Sequence, residues 1–390
     1  MRTLVVSDLH LGAHSERDLL RRAGPRAALL DALRGFDRLI LLGDVIELRE
    51  GPVTDVLAAA EGVLREIGSA LGPGREAVIV PGNHDHQLVA AWLQRRARHR
   101  ASDPLALDPY ARDGSSSPAG REGGAPGGAC APLGLERAVD WHPEELLGAV
   151  AGWLAPASVR VAYPGVWLRE DLYATHGHYC DRHTTVPMLE RLGAGAMARI
   201  VREAADGPRC AEDYEAILAP IYAWIDAVAQ TAGRDVGRSA QSTSAAAWGA
   251  LGGADRSGWV ANLRRLALVA VFPAVVAGLN RAGLGPLDRH ISREELRRAA
   301  LRAFSEVLAR LEVRADHVIF GHTHRAGPLP GEERRQWTTP SGAQMLNTGS
   351  WIHEPGFLRA APHVSPYRPG FCAVVGEQGP PELRNLLDEA

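Results

Sequence analysis

Residues 3–12 read Thr-Leu-Val-Val-Ser-Asp-Leu-His-Leu-Gly (TLVVSDLHLG), a short apolar run that ends in two metal-type ligands, Asp8 and His10. The same arrangement recurs four more times along the chain. RLILLGD at 38–44 ends in Asp44, and AVIVPGNHD at 77–85 ends in Asn83, His84 and Asp85. LYATHGH at 172–178 delivers His176 and His178, and HVIFGHTH at 317–324 delivers His322 and His324. Each apolar run has strand length, and helical periodicity fills the gaps between the first three, at 16–33, where Gly24-Pro25 is expected to break it, and at 53–71. Strand–helix–strand alternation predicts an α/β sheet covered by helices. In such sheets, sites form outside the carboxyl ends of the strands, where all five clusters fall.

The residue types suit divalent transition metals. Asp8 and His10, two apart, are expected on one face of an extended strand end, as are His322 and His324. Asp44 follows a glycine, and its two carboxylate oxygens can bridge two ions. Asn83 offers an amide oxygen, and His176 an imidazole. Mixed oxygen and nitrogen ligation fits Mn²⁺, Fe²⁺ or Zn²⁺ better than a thiolate-preferring ion. Five such clusters in this order point to a dinuclear centre, in which ions about 3.5–4 Å apart cleave phosphate esters.

The set DLHLG (8–12), GDVIE (43–47), GNHD (82–85), THGH (175–178) and GHTH (321–324) resembles the calcineurin-like metallophosphoesterase superfamily. That resemblance implies a four-layer α/β/β/α sandwich. It implies two divalent ions, Mn²⁺ first, with Fe²⁺ and Zn²⁺ as alternatives. Asp8, His10, Asp44 and His324 would hold one ion, and Asp44, Asn83, His176 and His322 the other. A hydroxide shared by the metals would attack phosphorus. His84 would contact the phosphate and protonate the leaving oxygen, with Asp85 orienting it. DLHLG, GDVIE and the HGH-x-C run look like the branch containing UDP-2,3-diacylglucosamine hydrolases. Those enzymes carry Arg where this chain has His84, and they are much shorter. On the substrate side we add His86, next to GNHD, Arg325, just past GHTH, and His178.

The rest of the chain bounds the reading. Hydrophobic residues make up 46% of the 390 positions, ample for a core. All 43 basic residues are Arg, yet the net charge is −3, so there is no basic excess to favour bulk nucleic-acid binding. Four cysteines without a CxxC pair, and no signal-peptide pattern, fit a cytoplasmic location. We expect a core of residues 1–86, 166–185 and 313–390. Residues 87–165 read as a loop-rich insertion, Gly/Ser/Pro-rich at 113–134, and 187–311 as an all-helical cap. Residues 266–279 (LALVAVFPAVVAGL) are too short to span a bilayer but could rest on the inner membrane face. The expected activity is hydrolysis of a phosphoester or pyrophosphate in a small or lipid-linked substrate. The alternatives are a DNA exo/endonuclease subunit, with no specific nucleic-acid signal to favour it, and a membrane-surface hydrolase of a lipid-linked pyrophosphate.

Overall fold

A computed structural model describes residues 1–13, 17–102, 132–185, 189–201, 203, 206–231, 277–281, 287, 293–353, 358 and 364–388. The three early apolar runs form β1 (Thr3–Val6), β2 (Arg38–Leu42) and β3 (Glu76–Val80). They pair in parallel, with Val5 opposite Ile40 and Ile40 opposite Val78. β4 (Glu136–Ala138) pairs with the middle of β5 (Ser158–Arg169). β5 is the hinge of the architecture: residues 158–161 lie beside β3, while 165–169 pair antiparallel with β6 (Leu172–Thr175). From there the sheet continues in parallel through β7 (His317–Phe320) and β8 (Gln344–Asn347). β9 (Phe371–Val375) and β10 (Glu382–Asn385) extend the other edge antiparallel beside β1.

Alternate residues of each strand face opposite ways. Val5, Ile40, Leu42, Val78 and Val80 share an apolar cluster with Val166, Leu172, Ala174, Ile319 and Leu346 from the far half of the sheet. Leu4, Val6, Leu39, Leu41 and Ile79 face away from it, toward α1 (Ala23–Leu33) and α2 (Val53–Leu71). Both faces are therefore covered, which explains why these strands are continuously apolar. The remaining described helices are α3 (Gln87–Ser102), α4 (Leu146–Trp153), α5 (Leu189–Ile200), α6 (Ala211–Thr231) and α7 (Arg293–Arg310). Phe304 and Leu308 of α7 pack in one cluster with Val318 and Phe320 of β7.

Two local expectations change. Gly24-Pro25 does not break the first helix: α1 begins at Ala23, so Pro25 sits in its first turn, where a missing N–H costs nothing. β5 starts inside the stretch read as loop-rich, because Pro164 and Gly165 hide a strand that changes partner midway. Every described element between 187 and 311 is helical. Most of 266–279 and all of 113–131 lie outside the described residues. Among the described residues, no helix is long and apolar enough to cross a membrane.

α2 carries a built-in contrast. Its buried stripe, Val56, Ala60, Val63, Leu64, Ile67 and Leu71, has helical spacing. Gly68 lies on that stripe, where a Cβ would meet the Leu154 carbonyl oxygen at 2.3 Å, whereas nothing lies within 4 Å of a Cβ on Gly62. Gly62→Ala is expected to stabilise the fold by about 0.5–1 kcal/mol through helix propensity. Gly68→Ala is expected to destabilise it by about 1–3 kcal/mol through overpacking against backbone. Urea unfolding of both variants checks the opposite signs; two stabilised variants would rule out the α2–α4 packing.

Candidate metal centre

All the candidate ligands leave the carboxyl ends of β1, β2, β3, β6 and β7 and converge on one end of the sheet. Backbone bonds weld these exits together. Asp8 N–H donates to the Gly43 carbonyl at 3.0 Å, His10 N–H to that of Asp44 at 2.8 Å, and Gly321 N–H to that of His176 at 3.0 Å. The convergence does not come from strand alternation, as the two-residue spacing suggested. Asp8, His10, Asp44, His322 and His324 all have positive φ, between 45° and 66°. Left-handed backbone at a non-glycine residue costs of order 1–3 kcal/mol and persists only where the surroundings impose it. Five candidate ligands in this conformation mark the turns as shaped for side-chain direction. Gly43, at φ +81°, allows the closest approach: a Cβ there would lie 2.3 Å from the His176 ring.

Two sets of donor atoms meet at Asp44. In one, His324 Nε2 lies 3.3 Å from Asp8 Oδ1 and 3.1 Å from His10 Nε2, which is itself 3.8 Å from Asp44 Oδ2. In the other, His176 Nε2 lies 3.2 Å from both Asp44 Oδ2 and Asn83 Oδ1, and His322 Nδ1 lies 3.1 Å from Asn83 Oδ1. Asp44 Oδ2 is common to both. Burial pushes the Asp44 carboxyl upward, but His176 and His84 outweigh it and hold it well below the usual carboxylate range.

These residues fit metal ions on two structural grounds. First, the outward nitrogen of three imidazoles is anchored to an acceptor: His10 Nδ1 to Glu47 Oε2 at 2.8 Å, His176 Nδ1 to the Leu42 carbonyl at 2.9 Å, and His322 Nε2 to Asp181 Oδ1 at 2.8 Å. Each anchor takes one ring proton and turns the other nitrogen's lone pair inward, as outer acceptors do at metal sites. Second, Asp8 Oδ1 is buried and, among the described residues, has no well-formed hydrogen bond, only His324 Nε2 at 3.3 Å. Such an orphan is costly unless a cation satisfies it.

His84 lies at the edge of this cluster, its side chain 17% exposed and its Nε2 4.0 Å from Asp44 Oδ2. The carboxylate that orients it is not Asp85. Glu47 holds His84 Nδ1, at 2.8 Å through Oε1 and 2.9 Å through Oε2. Asp85 instead accepts the Gly82 and Val45 backbone N–H groups at 2.7 and 2.8 Å and so locks the GNHD turn to the Asp44 loop. Its carboxyl is pushed up by burial and by the neighbouring Asp44. The expected substrate-side residues are engaged elsewhere. His86 is buried, its Nε2 3.0 Å from Glu215 Oε2 on α6. His178 is buried with Nε2 3.2 Å from the Tyr163 hydroxyl, and burial, then the neighbouring His176, pushes its pKa well below the ordinary imidazole value. Arg325 pairs with Glu332 and lies over Trp337. Of the three, His178 does touch a converging ligand, its ring 5.7 Å from that of His176, and His86 and His178 both lie against Tyr222 of α6.

Sequence reasoning assigns no role to Glu47, which ends GDVIE, or to Asp181, which lies outside every motif. The signal for Glu47 was there: a carboxylate inside the apolar run Val45-Ile46-Glu47-Leu48 is buried only for a purpose. Asp181 had no comparable signal, because its use depends on β6 and β7 lying side by side. Cys180, Asp181 and His322 could also hold an ion, but their shared His322 already faces Asn83.

Residues 1–186, just under half of the chain, match the calcineurin-like phosphoesterase family model, and that segment carries every candidate ligand except His322 and His324. Those two join it through β7, outside the matched segment. Among curated proteins the chain is similar to UDP-2,3-diacylglucosamine hydrolases of Xanthomonas campestris pv. campestris, from strains B100 and 8004. It is 33% identical to each over 114 residues, which is 28% of this chain and 43% of each relative. The chain thus spans under half the length of the curated relatives it matches. Both resemblances read from the motifs, to the superfamily and to this branch, hold.

Proposed function

We propose that the chain hydrolyses phosphoester or pyrophosphate bonds at a dinuclear centre. The observation that supports this reading is Asp44 Oδ2, which faces His10 Nε2 on one side and His176 Nε2 on the other, with the outer nitrogens of His10, His176 and His322 anchored. Asp8, His10, Asp44 and His324 would hold one ion, and Asp44, Asn83, His176 and His322 the other. Two divalent ions there, Mn²⁺ being the first candidate, would polarise a phosphoryl oxygen and bring the pKa of water down to about 7. His84 stands at the edge of the cluster, its Nδ1 clamped by Glu47, so that in the doubly protonated ring Nε2–H would give its proton to the departing oxygen and leave the Nδ1–H on Glu47. The Asp44 carboxylate accepts the His84 backbone N–H at 2.8 Å and so keeps that ring beside the centre.

The apolar cluster between the two halves of the sheet supports the four-layer α/β/β/α reading. The helices at 189–231 and 293–310 support a helical cap, with α6 reaching the core through Glu215. The relatives' name supports a nucleotide- or lipid-linked pyrophosphate as the substrate class. The test is metal analysis of the full chain, followed by turnover of p-nitrophenyl phosphate, bis-p-nitrophenyl phosphate and a nucleoside diphosphate sugar with Mn²⁺. The expected result is about two ions per chain and turnover of at least one substrate. Metal-loaded protein inert toward all three would sink the hydrolase reading, and absence of bound metal would sink the centre.

A further inference from the structure

The loop that follows Glu47 carries a buried cation that the centre does not use. Arg49 is 3% exposed, and its backbone N–H donates to Glu47 Oε1 at 3.1 Å. Its Nη1 lies 3.6 Å from Glu190 Oε1, and its guanidinium carbon sits 4.7 Å over the Tyr222 ring. Among the described residues, its Nε and Nη2 have no hydrogen-bond partner. These two nitrogens form one edge of the guanidinium, with two parallel N–H bonds spaced to match two oxygens of a phosphate or carboxylate. The hydroxyl of Tyr222 and Oδ1 of Asp226 are likewise buried and unpartnered. Tyr222 and Asp226 lie four residues apart on α6 and so share one face of it. Arg49 and His84 are close enough to Asp226 for their charges to act on its carboxyl, which burial raises to about 6. Three unpartnered polar groups in one buried place, each costing about 1–3 kcal/mol, call for a polar occupant.

We propose that Arg49 and Tyr222 form an oxyanion subsite, between the core loop and α6, that binds a second, non-reacting phosphoryl group of the substrate. Only the substrate's identity rests on the hydrolase reading; the subsite itself rests on the empty guanidinium edge. It makes α6 part of substrate selection and favours diphosphate over single-phosphate compounds. Asp226, on the same face, limits the net positive charge of the subsite and so allows release.

Two arms test this on the full chain. Inorganic phosphate is titrated calorimetrically into protein stripped of metal by chelation, so that the centre contributes nothing. The variants are Arg49→Met, which keeps the packing on Tyr222, and Tyr222→Phe, which removes only the hydroxyl. Phosphate affinity is expected to fall at least ~10-fold in Arg49→Met, the loss of one bidentate charge-assisted pair, and ~3-fold in Tyr222→Phe. Equal affinity in wild type and Arg49→Met, or no phosphate binding by either, overturns the subsite. In the second arm, with Mn²⁺, the Arg49→Met loss in kcat/KM on a nucleoside diphosphate sugar is expected to exceed its loss on bis-p-nitrophenyl phosphate by ~10-fold, mainly through KM. Equal losses on both substrates also overturn it. If wild type turns over neither substrate, the hydrolase reading fails, and calorimetry alone still decides the subsite.

Discussion

Asp44→Asn is expected to lose bound metal and to drop turnover at least ~10³-fold, the equivalent of several kcal/mol of lost charge stabilisation. The substitution is close to isosteric. Oδ1 can still accept the His84 backbone N–H, the 2.8 Å bond that ties the GNHD turn to this loop. What changes is the other atom. Oδ2 faces His176 Nε2 at 3.2 Å and His10 Nε2 at 3.8 Å, and an amide NH₂ there has no lone pair to offer either ion. Because one atom serves both donor sets, both occupancies fall together. Elemental analysis should drop from about two ions per chain toward none, and the rise in thermal midpoint that excess Mn²⁺ confers on wild type should disappear. A variant that keeps both ions, or loses only one, would show that Asp44 is not the shared ligand.

Glu47→Gln is expected to cost about 10–100-fold in kcat/KM, by loosening two imidazoles at once. The carboxylate is buried, and its two oxygens hold His10 Nδ1 and His84 Nδ1 at 2.8 Å each. Burial alone would raise its pKa; the charges of His84 and hydrogen bonds from His10 and His84 hold it far below the ordinary carboxylate value. An amide keeps the volume and one acceptor oxygen, but it cannot accept from both rings and carries no charge. Two readouts separate this positioning role from a plain loss of stability. Manganese titration should show weakened binding confined to one of the two ions, the one His10 faces. The loss should fall on kcat more than on KM if His84 protonates the departing oxygen as proposed, and Glu47→Asp should recover part of it. Unchanged metal affinity and kcat in a stably folded Glu47→Gln would remove Glu47 from the centre.

Much of this was legible along the chain. β1, β2, β3, β6 and β7 are short, largely buried apolar runs, so hydrophobicity alone announced them. Their polar exits named Asp8, His10, Asp44, Asn83, His84, His176, His322 and His324, because strand ends in an open α/β sheet point to one side. β5 was not legible, since it changes partner in mid-strand around Pro164 and no local pattern encodes a partner. The sequence by itself therefore determined which donor types exist, in what order, and that they gather at one edge. Only the tertiary structure decided how they are aimed and which groups support them. The left-handed turns at five candidate ligands, the contact of Glu47 with the His84 ring, and the partners of His86, His178 and Arg325 depend on neighbours far along the chain. A side chain's direction is set by backbone dihedrals and by contacts that the fold brings together, and neither is a property of residue spacing.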